Sequence, residues 1–173
     1  LDLDDWRRRL AVAPQTPFLF SDTIARNIAL GVESVEAVED AANRAALRSD
    51  LEALPKGLQT MVGQRGIMLS GGQRQRTALA RALVRKVDLL VLDDVLSAVD
   101  QATEQELIDE LVKGGATTLI VSHRMSVLAR TDLVLVLEEG RLVDSGPHEL
   151  LRSRPGPYRE AWERQQEEVT VDG

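Results

Sequence analysis

Two adjacent glycines after a serine form the segment with the clearest chemical potential. Ser70, Gly71 and Gly72 lead into a helical pattern over residues 77–84, in which leucines recur four positions apart. Glycines leave their backbone N–H groups open to approach, and the N-terminus of a helix attracts negative charge. Ser70 can add a hydroxyl group and Gln73 an amide. The segment therefore predicts a phosphate-binding turn that uses no lysine.

A second segment ends in two neighbouring carboxylates. Residues 89–92 are all apolar and run directly into Asp93 and Asp94. Such a run is typical of a buried parallel strand, and ligands of open α/β sheets bind at the carboxyl ends of strands. A carboxylate there suits Mg²⁺, which takes oxygen ligands and keeps several waters. The alternative for Asp93 is a carboxylate that only caps the next helix.

The elements that must position these residues alternate between strand and helix. Short apolar runs predict strands near residues 10–13, 89–93, 117–121 and 133–137, and helical segments such as 34–54 and 101–112 lie between them. Residues 138–141 predict a hairpin turn after the last of these strands. This alternation predicts an α/β fold with a mostly parallel sheet.

The composition narrows the possible functions. The chain has 173 residues, a net charge of −7 and a pI of about 4.9, so nucleic acid is not an expected partner. It contains no cysteine, which excludes disulfides and cysteine-based metal sites. No apolar run approaches the roughly 18–20 residues of a membrane span. The acidic first residues, with no starting Met, predict that the chain begins inside a larger reading frame.

Five segments, taken in order, resemble one known family. Residues 12–15 resemble the Q-loop of ATP-binding-cassette (ABC) ATPases, and residues 69–73 resemble their signature motif. Residues 89–94 resemble their Walker B strand, residues 97–100 their D-loop, and His123 their switch histidine. The ordered set covers nearly the whole chain, which makes the resemblance specific.

The resemblance implies an incomplete P-loop NTPase (RecA-like) fold with an inserted helical subdomain. Residues 1–20 would form part of the RecA-like core, and residues 21–85 the helical subdomain with the signature. Residues 86–150 would return to the core with Walker B, the D-loop and the switch histidine. Residues 151–173 would form a C-terminal helix and tail. The implied cofactors are ATP and Mg²⁺.

The family also implies roles for single residues. Asp93 would bind Mg²⁺, usually through water, and Gln15 would approach Mg²⁺ and the attacking water. His123 would contact the γ-phosphate. The alternatives are a loop Gln15 that caps a backbone group and a His123 with a purely structural place. His148 has no such context and is expected at the surface.

Asp94 occupies the position where the family usually has glutamate, the general base. Its side chain is one methylene shorter, by about 1.5 Å, and a misplacement of about 1 Å can cost about a hundredfold in rate. We expect a slow or inactive base, or one that acts through a bridging water. The intact signature, residues 70–73, would complete the ATP site of a second nucleotide-binding domain. Asp100 would lie at that subunit contact, or only cap a helix.

The combination of an altered base and an intact signature resembles one half of a heterodimeric exporter with a degenerate site of its own. A complete cassette also needs a phosphate loop, Gly-x-x-x-x-Gly-Lys-Ser/Thr. The three lysines, Lys56, Lys86 and Lys113, do not follow a glycine. We therefore expect a truncated chain that binds ATP poorly and is inactive alone. Loss of the preceding strands would expose part of the core and cause marginal stability or dimerisation.

The resulting hypothesis is an ATP-binding and ATP-hydrolysing subunit of an ABC exporter. It would lie on the cytoplasmic face of a membrane, attached through a transmembrane domain outside this chain. Coupling helices of that domain would dock near residues 18–20, although these apolar residues could instead pack inward. The first alternative is a non-hydrolysing module that only complements a partner. The second is a soluble ABC ATPase that acts on ribosomes or DNA.

Overall fold

A computed structural model describes residues 2–63, 66–97 and 99–171 of the chain. Residues 1–121 form one compact unit and residues 122–173 form another. The first unit contains α1 (Leu3–Arg8), β1 (Leu10–Ala13), α2 (Ile24–Ala29), α3 (Val35–Arg44), α4 (Arg48–Ala53), α5 (Gly71–Leu83), β2 (Leu89–Asp93), α6 (Gln101–Lys113) and β3 (Thr117–Val121). The second contains α7 (Met125–Leu128), β4 (Val134–Glu138), β5 (Arg141–Gly146), α8 (His148–Ser153) and α9 (Pro157–Val171).

The first unit is built on a three-stranded parallel sheet in the order β1-β2-β3. Val12 pairs with Val91, which pairs with Leu119 on the other side. The three strands predicted from apolar runs in this unit are confirmed. Side chains alternate between the faces of a strand. On one face Ala13, Leu90 and Leu92 are buried, and α5 packs against β1.

The opposite face of this sheet is open. Val12, Leu119 and Val121 occupy alternate positions on that face and are exposed. Exposed apolar side chains in contiguous positions normally mark a surface that another polypeptide covers. The expected consequences, marginal stability or dimerisation, remain predictions.

Residues 34–54 do not form the single helix that their pattern predicts. The helix α3 ends at Arg44 and α4 begins at Arg48. Ala46 between them has a φ of 54°, in the left-handed region, which interrupts a right-handed helix. At the start of α3, the Ser34 hydroxyl accepts a hydrogen bond from the Ala37 N–H at 3.1 Å, as expected of an N-cap.

The second unit contains an antiparallel hairpin, β4 and β5. The strand predicted at 133–137 exists, one residue later, and the hairpin turn predicted after it at 138–141 is confirmed. The strand pairs in this hairpin and not in the parallel sheet. Glu139 and Gly140 both have positive φ, 47° and 74°. Two successive residues of this kind form a tight turn that brings the next strand back antiparallel.

The core of the second unit joins α7, β4, α8 and α9. Met125, Val134, Leu151 and Tyr158 are buried together. His148 is also buried, so its expected place at the surface is wrong. Its Nδ1 lies 2.7 Å from the Tyr158 hydroxyl, and this hydrogen bond gives the imidazole a polar partner inside the core. Among the helices described, none has the length and apolar content needed to cross a membrane.

Candidate functional site

The carboxyl ends of β1 and β2 bring together residues that are far apart in sequence. Asp93 ends β2, and Asp94 leaves the strand with a φ of 50°. The Asp94 N–H donates a hydrogen bond to the carbonyl of Val121, at the end of β3, at 2.9 Å. Because left-handed backbone is uncommon outside glycine, and best tolerated by Asp and Asn, this turn fixes where the carboxylate of Asp94 starts.

Gln15 lies at the same edge of the sheet. Its Nε2 is 3.5 Å from Oδ2 of Asp94, so the structure brings together two residues predicted to act on the same water. The Gln15 carbonyl accepts a hydrogen bond from Nε2 of the buried Gln75 at 3.4 Å. Sequence reasoning missed Gln75. The sequence could have indicated it, because Gln75 is a polar residue three and four positions before Ala78 and Leu79, on the buried stripe of α5.

The donor set at this edge suits Mg²⁺ held together with a nucleotide. Asp93 and Asp94 offer carboxylate oxygens and Gln15 an amide. Within the described ranges, no group of three or more His, Cys, Asp or Glu residues could hold a metal by itself. Mg²⁺ is usually bound through one or two carboxylates plus substrate phosphates, so the set fits that kind of site.

The predicted phosphate-binding turn is the N-terminus of α5. The helix begins at Gly71, earlier than the pattern over 77–84 indicated, and Ser70 is its N-cap. The Ser70 hydroxyl accepts from the Gln73 N–H at 3.2 Å, and the Gln73 Oε1 accepts from the Ser70 N–H at 2.9 Å. This reciprocal capping box leaves the first two amides of the helix open. Among the described residues, no acceptor receives the N–H groups of Gly71 and Gly72.

Gly71 lies beside open space. Apart from its chain neighbours and the backbone of its own helix, a Cβ atom at this position would meet no atom within 4 Å, and its backbone is ordinary helix. Neither packing within the chain nor a special φ therefore requires glycine there. The space and the two open amides fit an anion that approaches the backbone closely.

A partly buried ion pair supports this turn. Oδ2 of Asp50 accepts from Arg76 Nη2 at 2.7 Å, and the two side chains are only 17% and 15% exposed. Oδ1 of Asp50 accepts from Gln73 Nε2 at 3.2 Å. The amide of Gln73, predicted to add to phosphate binding, is thus held between α4 and the cap. No pattern in the sequence indicated this pairing.

Asp100 caps α6. Its Oδ1 accepts from the Thr103 N–H at 3.0 Å, and its Oδ2 accepts from the Thr103 hydroxyl at 2.7 Å. The Thr103 backbone hydrogen bond, followed by the hydroxyl, lowers the pKa of this carboxyl group. The helix-cap alternative is therefore seen in the structure, and the subunit contact stays a prediction.

His123 belongs to the second unit, in the short loop that leads into α7. His123 is exposed. The Arg124 N–H donates to the Ser122 hydroxyl at 3.1 Å, which closes a tight turn around His123. Its carbonyl accepts a hydrogen bond from Nε2 of Gln165, on α9.

The two phenylalanines that follow Gln15 are exposed. Phe18 and Phe20 are 68% and 49% exposed and stack edge to face, with ring centroids 5.1 Å apart. Arg81 holds the segment in place through hydrogen bonds to the Phe18 carbonyl at 2.9 Å and the Asn27 carbonyl at 2.7 Å. Of the two expectations for this segment, inward packing does not apply to the two phenylalanines.

Comparisons with known proteins agree with this geometry. Residues 1–97 match the family described as ABC transporter. The chain is 45% identical over 176 residues to the multidrug resistance-like ATP-binding protein MdlA of Escherichia coli K12, covering 99% of this chain and 30% of that protein. It is 42% identical over 170 residues to the ATP-dependent lipid A-core flippase of Saccharophagus degradans, covering 95% of this chain and 29% of that protein.

The fold has a counterpart among solved structures. The structure of a bacterial Atm1-family ABC exporter with ATP bound matches with a TM-score of 0.86 and 42% identity, over 92% of this chain and 29% of that one. This match confirms the predicted α/β P-loop NTPase fold class. The chain spans about 30% of the length of the curated relatives it matches. Its ordered motifs, its sheet and its match over residues 1–97 together show that the chain belongs to the ABC transporter family.

Proposed function

We propose that this chain is the C-terminal part of the nucleotide-binding domain of an exporter-type ABC transporter, and that the complete protein couples ATP hydrolysis to transport. The N-terminus of α5 carries the proposal. The amides of Gly71 and Gly72 have no acceptor among the described residues, and open space lies beside Gly71. A triphosphate held by a second nucleotide-binding domain would complete this turn, because the helix end complements its negative charge.

The carboxylates and Gln15 serve the chain's own nucleotide. Asp93 binds Mg²⁺, mostly through water, and when bound this ion neutralises charge on the phosphates. Gln15 orients the attacking water beside Asp94, whose carboxylate lies 3.5 Å from the Gln15 amide. His123 contributes a hydrogen bond to the γ-phosphate. The D-loop residue Asp100 reaches the second nucleotide-binding domain.

The site on this chain is degenerate. Asp94 is one methylene shorter than glutamate, and its backbone is anchored by a left-handed φ and by the hydrogen bond to Val121. The main chain thus resists the shift of about 1.5 Å that would compensate. We infer a heterodimer in which this chain's signature completes the competent site of its partner.

Phe18 and Phe20 support an attachment to a transmembrane domain. Their stacked rings form an exposed apolar surface, and Arg81 donates a hydrogen bond to the Phe18 carbonyl beside it. Coupling helices of the transmembrane domain would dock there, which places the chain on the cytoplasmic face of the membrane.

Two N-cap serines provide a matched test of the signature. Ser70→Ala and Ser34→Ala each remove a hydroxyl that caps a helix, so each should cost about 1 kcal/mol of stability. In the complete heterodimer, only Ser70→Ala should lower ATP turnover, by about a hundredfold, as for loss of a donor at a charged transition state. Equal turnover in the two variants would favour a module without a catalytic role.

A third variant tests the space beside Gly71. Gly71→Ala should leave the urea midpoint of the chain unchanged or slightly raised, because nothing occupies the space and alanine favours a helix. It should nevertheless lower ATP turnover in the heterodimer. Unchanged turnover would contradict a phosphate in this place.

The degenerate site is tested separately. Asp94→Glu in the complete protein should raise turnover at this chain's own site, by up to about a hundredfold. An unchanged rate would remove the argument for a degenerate site without affecting the signature. Apolar spans upstream in the gene, together with a Gly-x-x-x-x-Gly-Lys loop, would distinguish an exporter from an ABC protein of ribosomes or DNA.

A further inference from the structure

Gln165 on α9 makes two hydrogen bonds to the backbone of the loop that contains His123. Its Nε2 donates to the His123 carbonyl, and its Oε1 accepts from the Met125 N–H at 3.0 Å. One amide group thus bridges the two backbone positions on either side of Arg124. All of these groups lie in the second compact unit.

The helix that follows this loop is short and begins without a side-chain cap of its own. The helix α7 has four residues, and its N-cap, Arg124, makes no capping hydrogen bond through its side chain. The first N–H groups of a helix need acceptors from outside the helix. Gln165 supplies the acceptor for Met125, the first residue of α7. The side chain that caps α7 therefore comes from a residue forty positions away in the sequence.

The position of Gln165 is itself well determined. Tyr158, Ala161, Trp162 and Gln165 lie at successive three- and four-residue spacings on one stripe of α9. Tyr158 is buried in the core of the unit, and Ala161 and Trp162 pack against that core. Gln165 is the polar end of this stripe. Its amide reaches the loop because the apolar residues before it anchor the helix.

We propose that Gln165 is a positioning residue for His123, so that docking of α9 sets where the imidazole lies. The inference rests on the proposed role of His123 in ATP hydrolysis. His123 is exposed, and its carbonyl accepts a hydrogen bond from Gln165. Loss of that bond lets the loop backbone shift, and a shift of about 1 Å in a reacting group can cost about a hundredfold in rate.

The first test uses the chain without nucleotide. Gln165→Ala should lower hydrogen-exchange protection of the Met125 amide by about tenfold, the equivalent of one hydrogen bond. Gln165→Glu keeps an acceptor for Met125 and should retain most of that protection. Arg164→Ala, at an exposed neighbouring position on α9, is the control and should change nothing. Equal protection in all three variants would overturn the proposal.

The second test uses the complete transporter with Asp94→Glu, so that turnover at this chain's own site is visible. Gln165→Ala should lower kcat by at least about tenfold and leave KM for ATP within about twofold. Gln165→Glu should also lower kcat, because it loses the donor to the His123 carbonyl. In a His123→Ala background, Gln165→Ala should have no further effect.

The outcomes separate the two hypotheses. A further loss of kcat from Gln165→Ala in the His123→Ala background would overturn the positioning role. If His123→Ala alone leaves kcat unchanged while Met125 still loses protection, the proposed role of His123 fails, and with it the catalytic part of this inference. A fall in kcat from His123→Ala but none from Gln165→Ala would refute only the inference.

Discussion

Replacement of Arg81 by alanine should destabilise the first unit by about 2–4 kcal/mol. The guanidinium donates to the Asn27 carbonyl at 2.7 Å, to Asn27 Oδ1 at 3.1 Å and to the Phe18 carbonyl at 2.9 Å. A hydrogen bond from a charged donor contributes about 1.5–3 kcal/mol. The total is smaller than three such bonds because Asn27 Oδ1 keeps its bond from the Phe20 N–H, at 2.8 Å.

The burial of the Arg81 side chain also affects its charge. It lowers the pKa of Arg81, because the charged guanidinium loses part of its hydration. Its hydrogen bonds compensate for that loss, and Arg81→Lys should recover only part of the stability. A lysine ammonium cannot reproduce the planar fork that spans Phe18 and both acceptors of Asn27.

The assay is urea denaturation of the chain. With an m-value of about 2 kcal/mol per molar, Arg81→Ala should lower the midpoint by about 1–2 M. Arg85→Ala is the control, because it removes an arginine four positions later. The Arg85 side chain donates one exposed hydrogen bond, to the Arg8 carbonyl at 3.3 Å, so its loss should cost less than about 0.5 kcal/mol. Midpoints of Arg81→Ala and Arg85→Ala that agree within error would refute the reasoning.

Two further predictions concern a tight backbone approach and a buried phenol. Gly66→Ala should destabilise the chain by about 2 kcal/mol or more, because a Cβ atom would lie 2.2 Å from the Met61 carbonyl oxygen; the urea midpoint of Gly71→Ala is the comparison. Burial raises the pKa of Tyr158, so this phenol ionises at a lower pH in the unfolded chain than in the folded one. The free energy of unfolding should therefore fall as the pH rises above about 10. Tyr158→Phe should abolish that decline, as measured by urea midpoints from pH 8 to 11, although the variant also loses the hydroxyl bonded to His148. An unchanged decline in the variant would contradict the prediction.

Local sequence predicted the elements whose cause is local. The strands at 10–13, 89–93 and 117–121 are runs of apolar residues, and their hydrophobic pattern needs no knowledge of the partner strand. The helix predicted at 101–112 from its periodic apolar residues is α6, and Asp100 caps it, which was one of the two expectations for that residue. The signature and Walker B segments identified the family because their residues and order are specific.

The departures from prediction have local causes of a different kind. The break between α3 and α4 depends on one left-handed residue, Ala46, whose type gives no sign of it. The apolar run at 133–137 belongs to an antiparallel hairpin and not to the parallel sheet, and the turn at Glu139 and Gly140 lies where the sequence predicts one. His148 looked like a surface residue until its bond to Tyr158 placed it in the core.

By itself, the sequence determined the family, the order of the motifs and the residue types proposed to hold phosphate and Mg²⁺, because these depend on short spacings and side-chain chemistry. Only the tertiary structure decided which groups support them. Gln15 meets Asp94 across 79 positions, and Gln165 meets the His123 loop across 42. Such contacts arise where sheet edges and helix faces come together in space, and no periodicity along the chain encodes the pairing of one polar side chain with a distant backbone group.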